Sequence, residues 1–84
     1  MVKEYAHPNK VYGCCWNPTK TGEFLSACED GLLRMFDFGA DHTNPVKTFE
    51  GHTKKIYNVS YSPILPNIAA SGSDDRSIRI WRTD

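Results

Sequence analysis

The chain matches itself without a gap when it is displaced by 45 residues. His7 then falls on His52, and Asp30 falls on Asp75. Other identical pairs are Lys10 with Lys55, Tyr12 with Tyr57, Pro18 with Pro63, Ser26 with Ser71, and Arg34 with Arg79. An internal repeat of this length indicates an array of one supersecondary unit, so it constrains both the fold and the kind of function.

Composition and charge exclude two classes of partner. The 84 residues carry 10 Lys and Arg against 10 Asp and Glu, so the basic excess that is typical of nucleic-acid binders is absent. No stretch approaches the roughly 18 apolar residues that span a membrane, and residues 1–10 lack the apolar core of a signal peptide. We therefore expect no nucleic-acid partner and no membrane partner.

The three cysteines indicate reduced thiols. Cys14, Cys15 and Cys28 are odd in number and two of them are adjacent, which is a poor framework for disulfides. Reduced thiols predict an intracellular location, with cytoplasm and nucleus both open. The alternative is a zinc site built from these thiols and His7, but the sequence has no C-x₂-C pair. Since a Gly-rich phosphate loop is also absent, we expect neither a metal nor a cofactor.

Short apolar segments separated by turn residues predict an all-β chain. No segment has a sustained helical period of 3.6, and the strands carry apolar side chains on both faces. Sheets of this kind are typical of similar sheets that stack face to face. The predicted strands are Val2–Tyr5, Val11–Trp16, Glu23–Cys28, Leu32–Phe38, Val46–Phe49, Ile56–Tyr61, Ile68–Ser73 and Ser77–Trp81.

The second half of the sequence resembles a WD40 repeat. It places the pair Gly51-His52 ahead of a strand and Trp81 in the last strand, and its period lies in the range of about 40–45 residues of that family. The first half is a weaker match, because it reads Ala6-His7 and Phe36-Asp37 at the corresponding positions. The two halves keep the same register over nearly the whole chain.

The resemblance implies an all-β fold with two propeller blades of the four-stranded type, the first repeat over residues 1–40 and the second over 41–84. A propeller typically has four to eight blades, so two blades are an incomplete propeller segment. Three sources of the missing blades stay open: further blades of a parent chain, identical copies of this chain, or a subunit of a larger complex.

The resemblance also implies a buried hydrogen-bond network in each blade. The corresponding residues are His52, Ser71, Asp75 and Trp81 in the second repeat, and His7, Ser26, Asp30 and Phe36 in the first. A buried carboxylate is costly unless it accepts hydrogen bonds, and an imidazole and a hydroxyl can supply them. Phe36 has no N–H, so the network of the first repeat should lack one donor.

Ser, His and Asp are also the residue types of a hydrolase triad. Two observations favour the structural interpretation over the catalytic one. The sequence has no G-x-S-x-G nucleophile elbow, and the same set of residues recurs at the same spacing in both repeats.

Proteins of the WD40 family act as non-catalytic scaffolds, and the resemblance implies a partner-binding face on the loops beside the innermost strands. The corresponding residues are Lys10, Tyr12 and Glu29 in the first repeat, and Lys55, Tyr57 and Asp74 in the second. We therefore expect a scaffold that binds proteins or peptides and is not an enzyme. The alternatives are a purely architectural segment of a large complex and, less favoured, a hydrolase or an enzyme subunit.

Overall fold

The computed structural model describes all 84 residues and contains seven β-strands and no helix. The strands are β1 (Val11–Trp16), β2 (Glu23–Cys28), β3 (Leu33–Asp37), β4 (Lys47–Phe49), β5 (Ile56–Tyr61), β6 (Ile68–Ser73) and β7 (Ile78–Arg82). The all-β prediction is confirmed, and the predicted bounds of β1, β2, β5 and β6 agree with the structure. No helix is present that is long and apolar enough to cross a membrane.

The strands form two antiparallel sheets. The first sheet has the order β1-β2-β3-β4, and the second has the order β5-β6-β7. Strand β4 lies in the second sequence repeat but pairs with β3, where Lys47 is opposite Met35 and Phe49 is opposite Leu33. The first sheet thus receives its outer strand from the repeat that follows it.

The predicted strand Val2–Tyr5 is wrong, because residues 1–10 contain no strand. In the self-alignment this segment corresponds to β4, and an outer strand forms where a neighbouring sheet offers its edge. The edge of β3 is already taken by β4. Residues 2–5 instead lie against the first sheet, where the Lys3 ammonium donates to the Phe38 and Ala40 carbonyls at 2.9 and 2.6 Å.

The core lies between the two sheets. Strands β2, β3, β5 and β6 place one set of apolar side chains on the inner side, where they are buried, and a bulge in β5 keeps Ile56 on the same side as Val59. The inner side chains are Leu25, Ala27, Leu33 and Met35 from the first sheet, and Ile56, Val59, Tyr61 and Ala69 from the second. Phe49 and Trp81 pack against this cluster with their ring centroids 5.7 Å apart. The stacking therefore holds two blades side by side.

Candidate functional site

The second repeat brings its four polar network residues together. The indole N–H of Trp81 donates to the Ser71 hydroxyl oxygen at 2.8 Å, and that hydroxyl donates to Nε2 of His52 at 2.7 Å. Nδ1 of His52 then donates to the Asp75 carboxylate at 2.9 Å. This assignment of the imidazole tautomer follows from the carboxylate, which can only accept. The chain of bonds links β6, β7 and the loop before β5.

Asp75 lies in the turn between β6 and β7, and three further groups donate to it. They are the Ser77 hydroxyl, the Ser77 amide at 2.9 Å and the Thr53 amide at 3.1 Å. Hydrogen bonds from Ser77, with a further one from His52, hold the pKa of the Asp75 carboxyl below its ordinary value. The turn and the loop before β5 are therefore fastened to one carboxylate.

The first repeat builds only half of this network. The Ser26 hydroxyl donates to Nε2 of His7 at 2.8 Å, but Nδ1 of His7 donates to the Tyr5 carbonyl at 2.9 Å. Asp30 makes no hydrogen bond with His7. It forms a two-pronged ion pair with Arg34, at 2.6 and 3.2 Å, which also holds the pKa of the Asp30 carboxyl below its ordinary value. The expectation that Asp30 joins the network of His7 and Ser26 is therefore corrected.

Two substitutions between the repeats explain this difference. Thr53 corresponds to Pro8, which has no amide hydrogen to donate, and Ser77 corresponds to Leu32, which has no hydroxyl. Asp30 thus lacks two of the donors that surround its counterpart, and a nearby guanidinium supplies bidentate hydrogen bonds instead.

Phe36 also changes the network of the first repeat. Its ring is fully buried and stacks on Phe24 at 5.2 Å, so an apolar cluster occupies the site where the second repeat has an indole. The Ser26 hydroxyl, which is buried, is left with His7 as its one hydrogen-bond partner. The sequence analysis expects this network to lack one donor, and the structure accordingly has no indole N–H beside the Ser26 hydroxyl.

The six residues of the predicted partner-binding face lie at one edge of the two sheets, which we call the tyrosine edge. They are Lys10, Tyr12, Glu29, Lys55, Tyr57 and Asp74. In each repeat the Lys carbonyl accepts from the amide of the acidic residue, at 2.8 Å for Glu29 and 3.1 Å for Asp74. These bonds place the two lysines beside the two acidic residues, directly next to the first strand of each sheet.

The two tyrosines join the halves of this edge. The rings of Tyr12 and Tyr57 lie 5.4 Å apart, and the phenol of Tyr12 donates to Glu29 at 3.3 Å. The Lys55 ammonium lies 5.5 Å from the centre of the Tyr57 ring. The adjacent Tyr57 side chain, with smaller contributions from Tyr12 and Asp74, holds the pKa of Lys55 above its ordinary value. Each repeat thus contributes a cation, an aromatic ring and an acid to one continuous surface.

The comparison with known families decides the identity of the fold. The profile described as "WD domain, G-beta repeat" matches residues 1–37 and 43–82. The chain belongs to the WD40-repeat family.

Several curated proteins are similar to this WD40 chain. It is 31% identical to Protein SPA1-RELATED 4 of Arabidopsis thaliana over 80 residues, which are 95% of this chain and 10% of the relative. It is 33% identical to the Peroxisomal targeting signal 2 receptor of Dictyostelium discoideum over 72 residues, 84% of this chain and 23% of the relative. It is 35% identical to Histone acetyltransferase type B subunit 2 of Gibberella zeae over 85 residues, 95% of this chain and 20% of the relative. The chain therefore spans less than a quarter of each of these relatives.

Among solved structures, the WD40 domain of coronin from Toxoplasma gondii superposes with a TM-score of 0.84 at 23% identity. The match covers 92% of this chain and 21% of that chain. At this identity the likeness concerns the fold alone, and it confirms the predicted propeller-blade architecture.

A polar network between the two WD40 blades was missed by the sequence analysis. The Glu23 carboxylate accepts from the Tyr61 phenol at 2.6 Å and from the Asn17 amide at 2.6 Å. Burial, and next the hydrogen bond to Glu23, holds the pKa of Tyr61 above its ordinary value. These residues come from both sheets, so they bridge the blades. The self-alignment carried one signal, because Glu23 corresponds to Ile68 and is therefore not part of the repeating pattern.

The cysteines are free thiols and no disulfide is present. Cys14 is exposed, Cys15 is half-buried and Cys28 is buried. No group of three or more His, Cys, Asp or Glu side chains is placed so that it could hold a metal ion.

Proposed function

We propose that this WD40 chain is a non-catalytic scaffold that binds a peptide or a loop of a protein partner at the tyrosine edge. The observation that carries the proposal is the meeting of the two repeats at the Tyr12–Tyr57 contact. Tyrosine is a frequent interface anchor because it offers a large apolar ring and a hydroxyl. Both rings stay partly open to solvent, with 38% of Tyr12 and 45% of Tyr57 exposed.

The surroundings of the tyrosines suit recognition of a peptide backbone and its side chains. Lys10 and Lys55 offer donors, and Glu29 and Asp74 offer acceptors, on either side of the aromatic pair. The net charge of zero supports a protein partner over nucleic acid or a membrane surface. The three free thiols support a location in the cytoplasm or nucleus.

The geometry of the Ser-His-Asp set supports the non-catalytic part of the proposal. The Ser71 hydroxyl is buried, donates to His52 and accepts from the Trp81 indole. A nucleophile must reach a substrate carbonyl, whereas this oxygen is enclosed by its own blade. We assign a structural role in the second repeat unit, residues 41–84, to His52, Ser71, Asp75 and Trp81. The pair His7 and Ser26 has a reduced form of this role in the first repeat unit, residues 1–40.

The test is selection of peptides from a random displayed library against the immobilised chain, followed by titration calorimetry with the best peptide. We expect Tyr12→Ala and Tyr57→Ala each to weaken binding about tenfold or more, because central aromatic anchors carry a large share of interface energy. Phe38→Ala is the matched control, because Phe38 is 41% exposed and follows β3 at the opposite edge.

Unchanged affinity of both tyrosine variants for the selected peptide would refute the proposal. Failure to select any peptide would favour the architectural alternative, which draws support from the exposed Ile78 and Ile80 side chains of the second sheet.

A further inference from the structure

The two sheets of the chain are covered unequally. Leu33 and Met35 of the first sheet are buried against the second sheet. The corresponding residues of the second sheet, Ile78 and Ile80, are 77% and 66% exposed. We call this open side the isoleucine face; its residues are Asn58, Ser60, Ile68, Ala70, Gly72, Ile78 and Ile80. Exposed apolar surface of this kind marks an interaction site.

The first sheet also has a partly open side, which we call the tryptophan face, and the Tyr5 ring covers one end of it, 4.9 Å from the ring of Phe24. The tryptophan face consists of Cys14, Trp16 and Phe24, whose side chains point away from the core. Trp16 is 61% exposed, and its ring packs on Phe24 with the centroids 5.2 Å apart. The corresponding residues of the second sheet are Val59, Tyr61 and Ala69, which pack into the contact between the two sheets.

Compared with the internal contact between the two sheets, one open face carries smaller side chains and the other carries larger side chains. On the isoleucine face, Leu25 and Ala27 are replaced by the smaller Ala70 and Gly72, whereas Gly13 is replaced by the larger Asn58, whose carboxamide oxygen accepts from the Gly72 amide at 3.1 Å. Two adjoining depressions of about 260 and 230 Å³ lie there, both lined by Ser60 and Ala70. On the tryptophan face, Ala69 is replaced by the larger Phe24, and Tyr61 by the larger Trp16. A face that has lost volume and a face that has gained volume are complementary in shape.

Polar residues of the internal contact are also replaced by apolar residues on both open faces. Inside the chain, Glu23 of the first sheet accepts a hydrogen bond from Tyr61 of the second. The residues that correspond to this pair are Ile68 on the isoleucine face and Trp16 on the tryptophan face. A polar pair is therefore replaced by an apolar pair at both positions. An unmatched replacement would leave a buried carboxylate or phenol without a partner, and that would be costly.

We propose that the isoleucine face of one copy of this chain docks on the tryptophan face of a second copy, in the same geometry that joins the two sheets within the chain. The contact is heterologous, so repeated docking forms a closed ring if the rotation closes. A ring within the usual range of four to eight blades would hold two to four copies. The same geometry would place Tyr57 of one copy beside Tyr12 of the next, as these two rings lie within the chain, so the docking surface adjoins the tyrosine edge. The inference does not depend on the proposed peptide binding.

Asn58 and Arg76 replace glycines of the internal contact, and the second of these positions gives the docking a directional test. Gly31 has a φ of +84°, and a Cβ there would lie 3.1 Å from the Lys54 carbonyl in the loop that precedes β5. Its counterpart Arg76 has a φ of +70°. In the docked pair, Arg76 would face the corresponding carbonyl of Asn9 in the second copy, where a side chain crowds the backbone. We expect Arg76→Gly to strengthen the association.

The experiment measures the solution mass of the full chain by analytical ultracentrifugation and native mass spectrometry over a range of concentrations. The wild-type chain is expected to give a discrete multiple of 9.5 kDa. Ile80→Glu and Trp16→Glu should each reduce the mass to that of the monomer, because each places a charge on one docking face. Ile64→Glu is the matched control, since Ile64 is 84% exposed in a loop outside both faces.

Mixing the variants tests the head-to-tail geometry. Ile80→Glu and Trp16→Glu each retain one intact face of opposite kind, so an equimolar mixture should form a dimer of one copy of each. If isoleucine faces paired with each other, Trp16→Glu would still dimerise alone and the mixture would gain nothing.

A wild-type chain that stays monomeric, an association that survives Trp16→Glu, or a weaker association of Arg76→Gly would each overturn the proposal. Far-UV circular dichroism checks the fold of every variant. Cys14→Glu replaces Trp16→Glu if the latter loses its sheet signal, because Cys14 is exposed on the same face.

Discussion

Replacing the buried serine of each repeat by alanine should destabilise the chain unequally. Ser71→Ala leaves two groups without a partner, the indole N–H of Trp81 and Nε2 of His52. Ser26→Ala leaves one, Nε2 of His7, because Phe36 has no N–H. A buried donor or acceptor that loses its partner costs about 1–3 kcal/mol. We therefore expect a loss of about 2–6 kcal/mol in the free energy of unfolding for Ser71→Ala, and about half of that, about 1–3 kcal/mol, for Ser26→Ala.

The assay is urea unfolding followed by far-UV circular dichroism and by tryptophan fluorescence, with the free energy taken from linear extrapolation. One protein concentration is used throughout, because association would add to the measured stability. Both substitutions remove the same atom from a buried position in the middle strand of a sheet, so each is the control for the other. Equal losses for the two variants, or a larger loss for Ser26→Ala, would refute the assignment of an extra partner to Ser71.

Two further perturbations follow from the polar groups of the blades. Because the pKa of Asp75 is lowered in the folded chain, its contribution to stability is present above about pH 4, the ordinary value for Asp, and is lost as the pH falls towards the folded value. Asp75→Asn should therefore flatten the decline of unfolding free energy below pH 4; an unchanged acid limb in urea titrations at stepped pH would contradict this. Tyr61→Phe removes the phenol that donates to Glu23 and should cost about 1.5–3 kcal/mol, the range for hydrogen bonds to charged groups. Tyr57→Phe, which removes an exposed phenol from the same strand, β5, should cost less in the same measurement, and the reverse order would contradict the bridging role of Tyr61.

The strands could be predicted from the sequence because their signals are local. Apolar alternation and turn residues bounded Val11–Trp16 and Ile56–Tyr61 as the structure has them. The error at Val2–Tyr5 has a different origin, because a strand at a sheet edge depends on a pairing partner. The corresponding positions of the second repeat form a strand at Lys47–Phe49, where β3 offers its edge, whereas residues 2–5 form none.

The candidate site was predictable to the extent that it repeats. The self-alignment grouped His52 with Ser71 and Asp75, and the structure brings these side chains into one chain of hydrogen bonds. It failed for Asp30, because the amide and hydroxyl donors of its counterpart come from positions that do not repeat. The Glu23–Tyr61 bridge was missed for the same reason. Glu23 corresponds to Ile68 and Tyr61 corresponds to Trp16, so the self-alignment shows no repeated polar pair at these positions.

The hydrogen bond between Glu23 and Tyr61 makes the order of the two repeats matter. A circularly permuted chain, with the second repeat ahead of the first, would place Ile68 opposite Trp16 inside one molecule and turn Glu23 and Tyr61 outwards. Such a permutant would be a covalent version of the proposed contact between copies, and it would expose the apolar side chains Leu25, Leu33 and Met35 of the present core. The two repeats have the same backbone fold but are not interchangeable, because the side chains on the two faces of each sheet fit different neighbouring sheets.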